Sequence, residues 1–248
     1  MLRSTFVHIP TIGYVTEQRL WAAGMASWDD VLAAQRCPPG FSPSRWQLIR
    51  DTTQSSAASL TAGDQRYFAQ LLRARDQWRA FPEFRRRVGY LDIETDGLGE
   101  WNIVTVIGLY DGVRTHTYVA GDNMDQFALD IHDYSLLVTF NGATFDLPFL
   151  RRTFGDVFDG LHVDLRFALA RLGYRGGLKS IERQIGIARD SGIADISGEQ
   201  AVWLWREYKR GNPQALELLV QYNRADVENL EALMDLAYTG LWQQAQRR

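Results

Sequence analysis

Between Val88 and Gly121 the chain changes texture. Three runs rich in β-branched and aromatic residues, VGYLDIET, NIVTVIGLYDG and VRTHTYVAG, follow one another with only short turn signals between them, at Asp96 to Gly99 and at Asp111 with Gly112. Strands joined by turns this short pair antiparallel, so this stretch predicts a three-stranded meander. The pattern then alternates. A helical period over about 123 to 132 precedes the apolar run SLLVTF, a turn at Asn141 and Gly142, and a helix through FDLPFLRRTF. The short strand LHVDL leads into the helix RFALARLG, and the helical segments LKSIERQIG, AVWLWREYKRG and Pro213 to Leu241 complete the chain. The expected fold is α/β, a mixed five-stranded sheet flanked by helices.

Residues 1–87 read differently, as a mostly helical extension ahead of a domain at 88–248. Ile9 to Gly13 forms a turn signal, and EQRLWAAGMASWDDVLAA carries apolar residues at helical spacing, a pattern like a helix-hairpin-helix element. Such a hairpin aims backbone amides at a phosphate, although Thr11 stands where a glycine is usual. CPPGFSPS is a break, and residues 58–80 read as one arginine-studded helix.

Net charge is only −3, but it is unevenly spread. Residues 1–90 hold 12 Arg against 7 acids, and the remainder holds 15 Lys plus Arg against 23 acids. A basic arm beside an acidic body suits a protein that holds a polyanion in one part and gathers cations in another; solvated surface charge is the plainer account. The single cysteine, Cys37, rules out a disulfide framework and a Cys-based zinc site within one chain. No apolar run reaches the roughly 20 residues of a membrane helix, and no signal peptide opens the chain, so a cytoplasmic location is expected.

Five residues carry the chemistry. Asp92 and Glu94 are two apart in LDIET, so on a strand they project from one face. Two carboxylates on a buried face need compensation, and a bound divalent cation supplies it; an outward, solvated face would remove the need. Asp146, in TFNGATFD, falls in the first turn of a helix, where the helix dipole also favours an acid. Tyr222 and Asp226, in YNRAD, are at i and i+4 and share a helix face. Four carboxylates and a phenol at these spacings can assemble a two-cation site for phosphodiester cleavage. Phe145 either joins the core or offers its ring to a nucleobase, and Asn141 caps its turn.

These motifs, in this order, resemble those of the DnaQ-like or DEDD exonuclease superfamily. The branch with histidine places it five residues before the final Asp, where this chain has Gln221; the tyrosine branch, DEDDy, has Tyr four before, as Tyr222 is. HVDL, LKSIE, ISGE, YNRADVENL and the N-terminal IPTIG to WDDVL are similar to the YprB branch of ribonuclease-H-like proteins. The resemblance implies a ribonuclease-H-like fold and a 3′-to-5′ exonuclease that releases nucleoside 5′-monophosphates from single-stranded DNA or RNA 3′ ends. It implies two divalent cations, Mg²⁺ or Mn²⁺. Asp92 would bridge them, Glu94 and Asp226 would hold the cation that activates water, and Asp146 would support the second, partly through water. Tyr222 would orient the water rather than act as a base, since a phenol's pKa lies near ~10. The turn after LDIET, with Thr95 and Leu98, would approach the terminal nucleotide together with Asn141 and Phe145. The alternative is a catalytically silent nucleic-acid-binding module on the same fold.

Other candidates are weaker. Asp164 and Asp195 read as helix or turn caps, and GYRGGLKS lacks the second glycine of a phosphate loop. The four histidines show no metal-ligand spacing, and no nucleophile elbow supports a serine triad. Trp78, among arginines, is a candidate stacking residue.

Overall fold

The computed structural model describes residues 1–99 and 101–247. Its sheet has five strands, β1 (Val88–Thr95), β2 (Val104–Tyr110), β3 (Thr115–Val119), β4 (Leu136–Thr139) and β5 (Leu161–Asp164), in the order β3-β2-β1-β4-β5. The expected meander is there: β1 pairs antiparallel with β2, and β2 with β3. β4 and β5 add in parallel on the other side of β1, which makes the sheet mixed.

Helices precede and cover the sheet: α1 (Tyr14–Ala22), α2 (Trp28–Ala33), α3 (Pro43–Thr61), α4 (Gln65–Leu71), α5 (Phe81–Phe84), α6 (Met124–Asp130), α7 (Asp146–Phe154), α8 (Leu165–Ala170), α9 (Leu178–Gln184), α10 (Gly198–Lys209) and α11 (Pro213–Arg247). Strand alternation decides which cover goes where. Leu91 and Ile93 of β1 and Leu137 of β4 point into a core closed by Phe127 of α6 with Phe149 and Leu150 of α7. Tyr90, Leu136 and Val138 point the other way, toward Leu230, Leu233 and Met234 of α11. Asp92 and Glu94 therefore face α11, continuing the row that Tyr90 begins.

The N-terminal extension packs on the far half of α11. Trp78 and Phe81 lie 6.0 and 5.9 Å from the Tyr238 ring, and Trp21 meets Trp242 edge-on at 6.3 Å. One apolar cluster runs from Leu2 and Phe6 through Trp78 to Tyr90, Val138 and Leu241. The turn at Ile9 to Gly13 forms, with Thr11 in the left-handed region at φ 69°, but a single 3-10 turn, Leu2–Ser4, precedes it.

The structure corrects the reading of 58–80 as one helix. Gly63, at φ +70°, ends the path of α3; Asp64 caps α4 by accepting the Tyr67 N–H at 3.2 Å; and Ala74–Ala80 is 3-10. Trp78 is also corrected: it is 2% exposed, inside the core, and offers no stacking face. Among the described residues no helix is long and apolar enough to cross a membrane.

Candidate metal centre

Asp92, Glu94 and Asp226 converge. One carboxylate oxygen from each lies within 4.8 Å of the others, with Glu94 and Asp226 buried and Asp92 half-buried. The strand period brings the first two to one face, and α11 crosses that face with Tyr222, Asn223 and Asp226 turned inward. Asp146 stands beside this trio rather than in it. Past the end of β4 the Ile93 N–H has no strand to pair with, and it donates to Asp146 Oδ1 at 3.2 Å. Its burial is near complete, so Asp146 is no solvated helix-start residue.

Four acids this close resist ionisation. Burial, then the neighbouring charges of Asp226 and Asp146, holds Asp92 and Glu94 well above the usual carboxylate range. Burial pushes Asp146 up to about 7. Asp226 is raised by burial as well, although the Arg189 guanidinium pulls it back. Tyr222 hydrogen-bonds Asp226; burial first, then the charges of Asp226, Glu94 and Asp92, drives its phenol far above its ordinary value. The phenol stays protonated.

Several partners were not visible in the motifs. The Asn223 amide donates to the Asp92 carbonyl at 3.2 Å and to its carboxylate at 3.0 Å. Room for it comes from Gly108, the register partner of Asp92 on β2: a Cβ there would sit 2.2 Å from Asn223 Oδ1. A glycine inside an apolar strand is a signal of such close approach. Arg189 pairs with Asp226 and forks onto Glu182 with two bonds of 2.6 Å, and Asn229 donates to Glu182 at 3.0 Å. Lys179, from GYRGGLKS, sits 4.4 Å from the Tyr222 ring. No local spacing announces Arg189, which reaches α11 from a loop.

The remaining sequence candidates divide. Asp164 caps α8 and ties the turn before α7, accepting from Asn141 and Ala143 N–H groups at 2.8 and 3.1 Å and from Arg166 N–H at 3.0 Å. Asn141, left-handed at φ 68°, accepts from Thr144 Oγ1 and Arg166, at 2.9 and 2.6 Å. Phe145 packs on Phe149 at 4.9 Å at the edge of the core. The Thr95 hydroxyl donates to the Gly97 carbonyl at 2.7 Å, while Leu98 is 84% exposed. Asp195 is not the cap of α10; Ser197 fills that role in a reciprocal pair with Gln200.

Several arginines of the basic arm have partners within the molecule, although only Arg79 is buried. Arg79, 2% exposed, grips Glu17 at 2.9 Å, Arg85 bridges to Asp235 at 2.9 Å, and Arg87 caps the His132 and Asp133 carbonyls. Arg45 and Arg50 donate to the Thr11 and Ala34 carbonyls. Arg79, Arg45 and Arg50 bind within the extension itself, while Arg85 reaches α11 and Arg87 the segment after α6.

A five-stranded mixed sheet with acids on its central strand, on a covering helix and after the strand beside it has a counterpart in sequence. The family model of the RNase H superfamily matches residues 89–238. The chain belongs to the RNase H superfamily. No curated protein matches it. Among solved structures, it is similar to the family B DNA polymerase from the hyperthermophilic archaeon Pyrobaculum calidifontis, with a TM-score of 0.45 and 17% identity. That likeness covers 63% of this chain and 24% of the polymerase chain.

In this RNase H superfamily protein the donor set suits a hard divalent cation. It consists of carboxylate oxygens, and among the described residues the positive charge beside them is that of Arg189, shared with Glu182, and Lys179. Asp92, Glu94 and Asp226 would hold such an ion, with Asp146 beside them.

Proposed function

We propose that the chain is a metal-dependent 3′-to-5′ exonuclease of the DEDDy type, in the YprB-like branch, that shortens single-stranded nucleic acid to nucleoside 5′-monophosphates. The observation that carries this reading is the convergence of Asp92, Glu94 and Asp226 within 4.8 Å, with the Tyr222 phenol hydrogen-bonded to Asp226. Two bound divalent cations, Mg²⁺ or Mn²⁺, would supply activation of water and charge stabilisation at the leaving oxygen.

The protein's own residues do the rest. Asn223 fixes the Asp92 carboxylate from α11, so strand and helix keep one geometry. Asp146 holds the Ile93 backbone and with it the pitch of the strand between Asp92 and Glu94. Tyr222, protonated at working pH, orients the water and the scissile phosphate by hydrogen bonding and takes up no proton. Lys179, partly buried near Glu94 and Asp226, adds positive charge where the phosphate would lie.

The test is an assay with 3′- or 5′-labelled oligonucleotides, with and without Mn²⁺. Asp92→Ala and Asp226→Ala should each abolish metal-dependent shortening while circular dichroism stays that of the parent. Undiminished cleavage in either variant sinks the assignment. Binding without any shortening by the parent would instead favour the silent binding module.

A further inference from the structure

The end of α10 and the loop after β1 face each other across an open groove of about 640 Å³. Arg206, Lys209 and Arg210 line one side, and Trp205 forms part of the floor. Asp96, Asn102 and Ile103 line the other. Cations at a helix C-terminus are common because the dipole favours them, so these three alone would mean little. The loop that supplies the other side also carries two large apolar side chains beyond the groove's own lining. The β1–β2 loop projects Trp101 at 95% exposure and Leu98 at 84%, with Ile103 half-exposed behind them.

Hydrogen bonds tie down the described residues of this loop. The Asp96 carboxylate accepts the Ile103 N–H at 2.8 Å, the Asn102 side chain accepts the Gly99 N–H at 2.6 Å, and the Thr95 hydroxyl closes on Gly97. A large ring kept in water on a pinned loop is a platform. The groove also adjoins the metal centre: the loop begins at Asp96, two residues after Glu94, and Trp205 packs in one cluster with Tyr222 and Val106, the register partner of Glu94.

We infer that this groove binds the strand flanking the scissile bond, with Arg206, Lys209 and Arg210 on successive phosphates and Trp101 stacked on a base. The inference rests on the nuclease reading and gives its substrate a path. The ligand is single-stranded nucleic acid, whose flexible backbone follows a groove and whose free bases stack on an aromatic without regard to sequence. Two acids temper the groove's charge. Glu207 pairs with Arg210 at 2.7 Å, and Asp96 is held by its own loop.

The experiment is fluorescence anisotropy of a labelled oligo(dT) in EDTA, which prevents turnover, across a series of salt concentrations. Removing Arg206, Lys209 and Arg210 together as alanines should lower the slope of log affinity against log salt by about 2, at ~0.7 per phosphate contact. Trp101→Ala should weaken binding by roughly 5- to 150-fold and leave that slope unchanged. All four side chains are exposed, so folding is not at stake, and Arg206→Lys with Arg210→Lys should keep the parental slope. Parental slope and affinity in the alanine variants, or no binding by the parent, overturns the groove. Groove-dependent binding without Mn²⁺-dependent shortening upholds the groove and removes the nuclease reading. Shortening by the parent with an unchanged KM in the groove variants does the reverse.

Discussion

Asn223 holds Asp92 at two points, donating to its backbone carbonyl at 3.2 Å and to its carboxylate at 3.0 Å. One amide on α11 thus fixes both where the strand runs and where its acid points. The gap it fills exists because residue 108 has no side chain.

Gly108→Ala should therefore damage activity through a residue that touches no substrate. The added methyl displaces Asn223, and with it Asp92, by a fraction of an ångström to an ångström. Misplacement on that scale can cost about 100-fold in rate. Asn223→Ala should show a comparable loss, and combining the two should cost little more than either alone. Single-turnover rates with saturating Mn²⁺ check this; additive losses would mean that the two residues act separately.

Stability of the metal-free protein should fall as pH rises. Asp146 at about 7, with Asp92, Glu94 and Asp226 also raised, means that the folded state keeps protons an unfolded chain has released above about pH 4. Their contribution is complete below about pH 4; the share of Asp146 is lost as pH climbs through about 7, and that of the other three as pH passes their own raised values. Mn²⁺ replaces those protons, so its stabilising effect should be small at pH 5 and large at pH 8. Thermal denaturation across this range, against Asp92→Asn, measures it. A metal effect that does not vary with pH would contradict the account.

Tyr222→Phe should keep cation binding and lose rate. A phenol hydrogen bond to a charged partner is worth about 1.5–3 kcal/mol, or roughly 10- to 150-fold in rate if it is made in the transition state. Because Tyr222 stays protonated, the pH–rate profile of the variant should keep the parental shape. A limb that disappears from the profile would show the tyrosine acting as an acid or base.

Arg79→Met should destabilise the fold without touching the site. Arg79 and Glu17 are both almost wholly buried, and Glu17 also accepts the Phe6 N–H at 2.7 Å. Removing one partner of a buried pair costs about 3–5 kcal/mol. Urea unfolding gives the loss; a change below about 1 kcal/mol would mean that water already reaches Glu17.

The residues legible in the sequence are those whose relation is local. Asp92 with Glu94, and Tyr222 with Asp226, are placed by the periods of one strand and one helix. Asn223 lay inside a motif already noticed, yet its role depends on an empty space on β2, which only the register reveals. Arg189 and Lys179 reach the site from loop and short helix, with no period to follow. The single helix expected over 58–80 failed because Gly63 and Asp64 give α3 an end and α4 a start within two residues. Nothing local singles out Arg79 among the arginines of that half, since sequence does not tell which guanidinium will find a buried carboxylate.

α11 carries Tyr222 and Asp226 in its first half and Tyr238 and Trp242 near its far end, the latter seated on Trp78, Phe81 and Trp21. Twenty residues of helix separate Tyr222 from Trp242, about 30 Å of continuous rod. The two parts of the chain thus behave as a splint and the limb it supports. A truncation beginning at Val88 would keep every acid of the site and still strip Trp21, Trp78 and Phe81 from the outer half of its helix, so the smallest active piece should include the N-terminal extension.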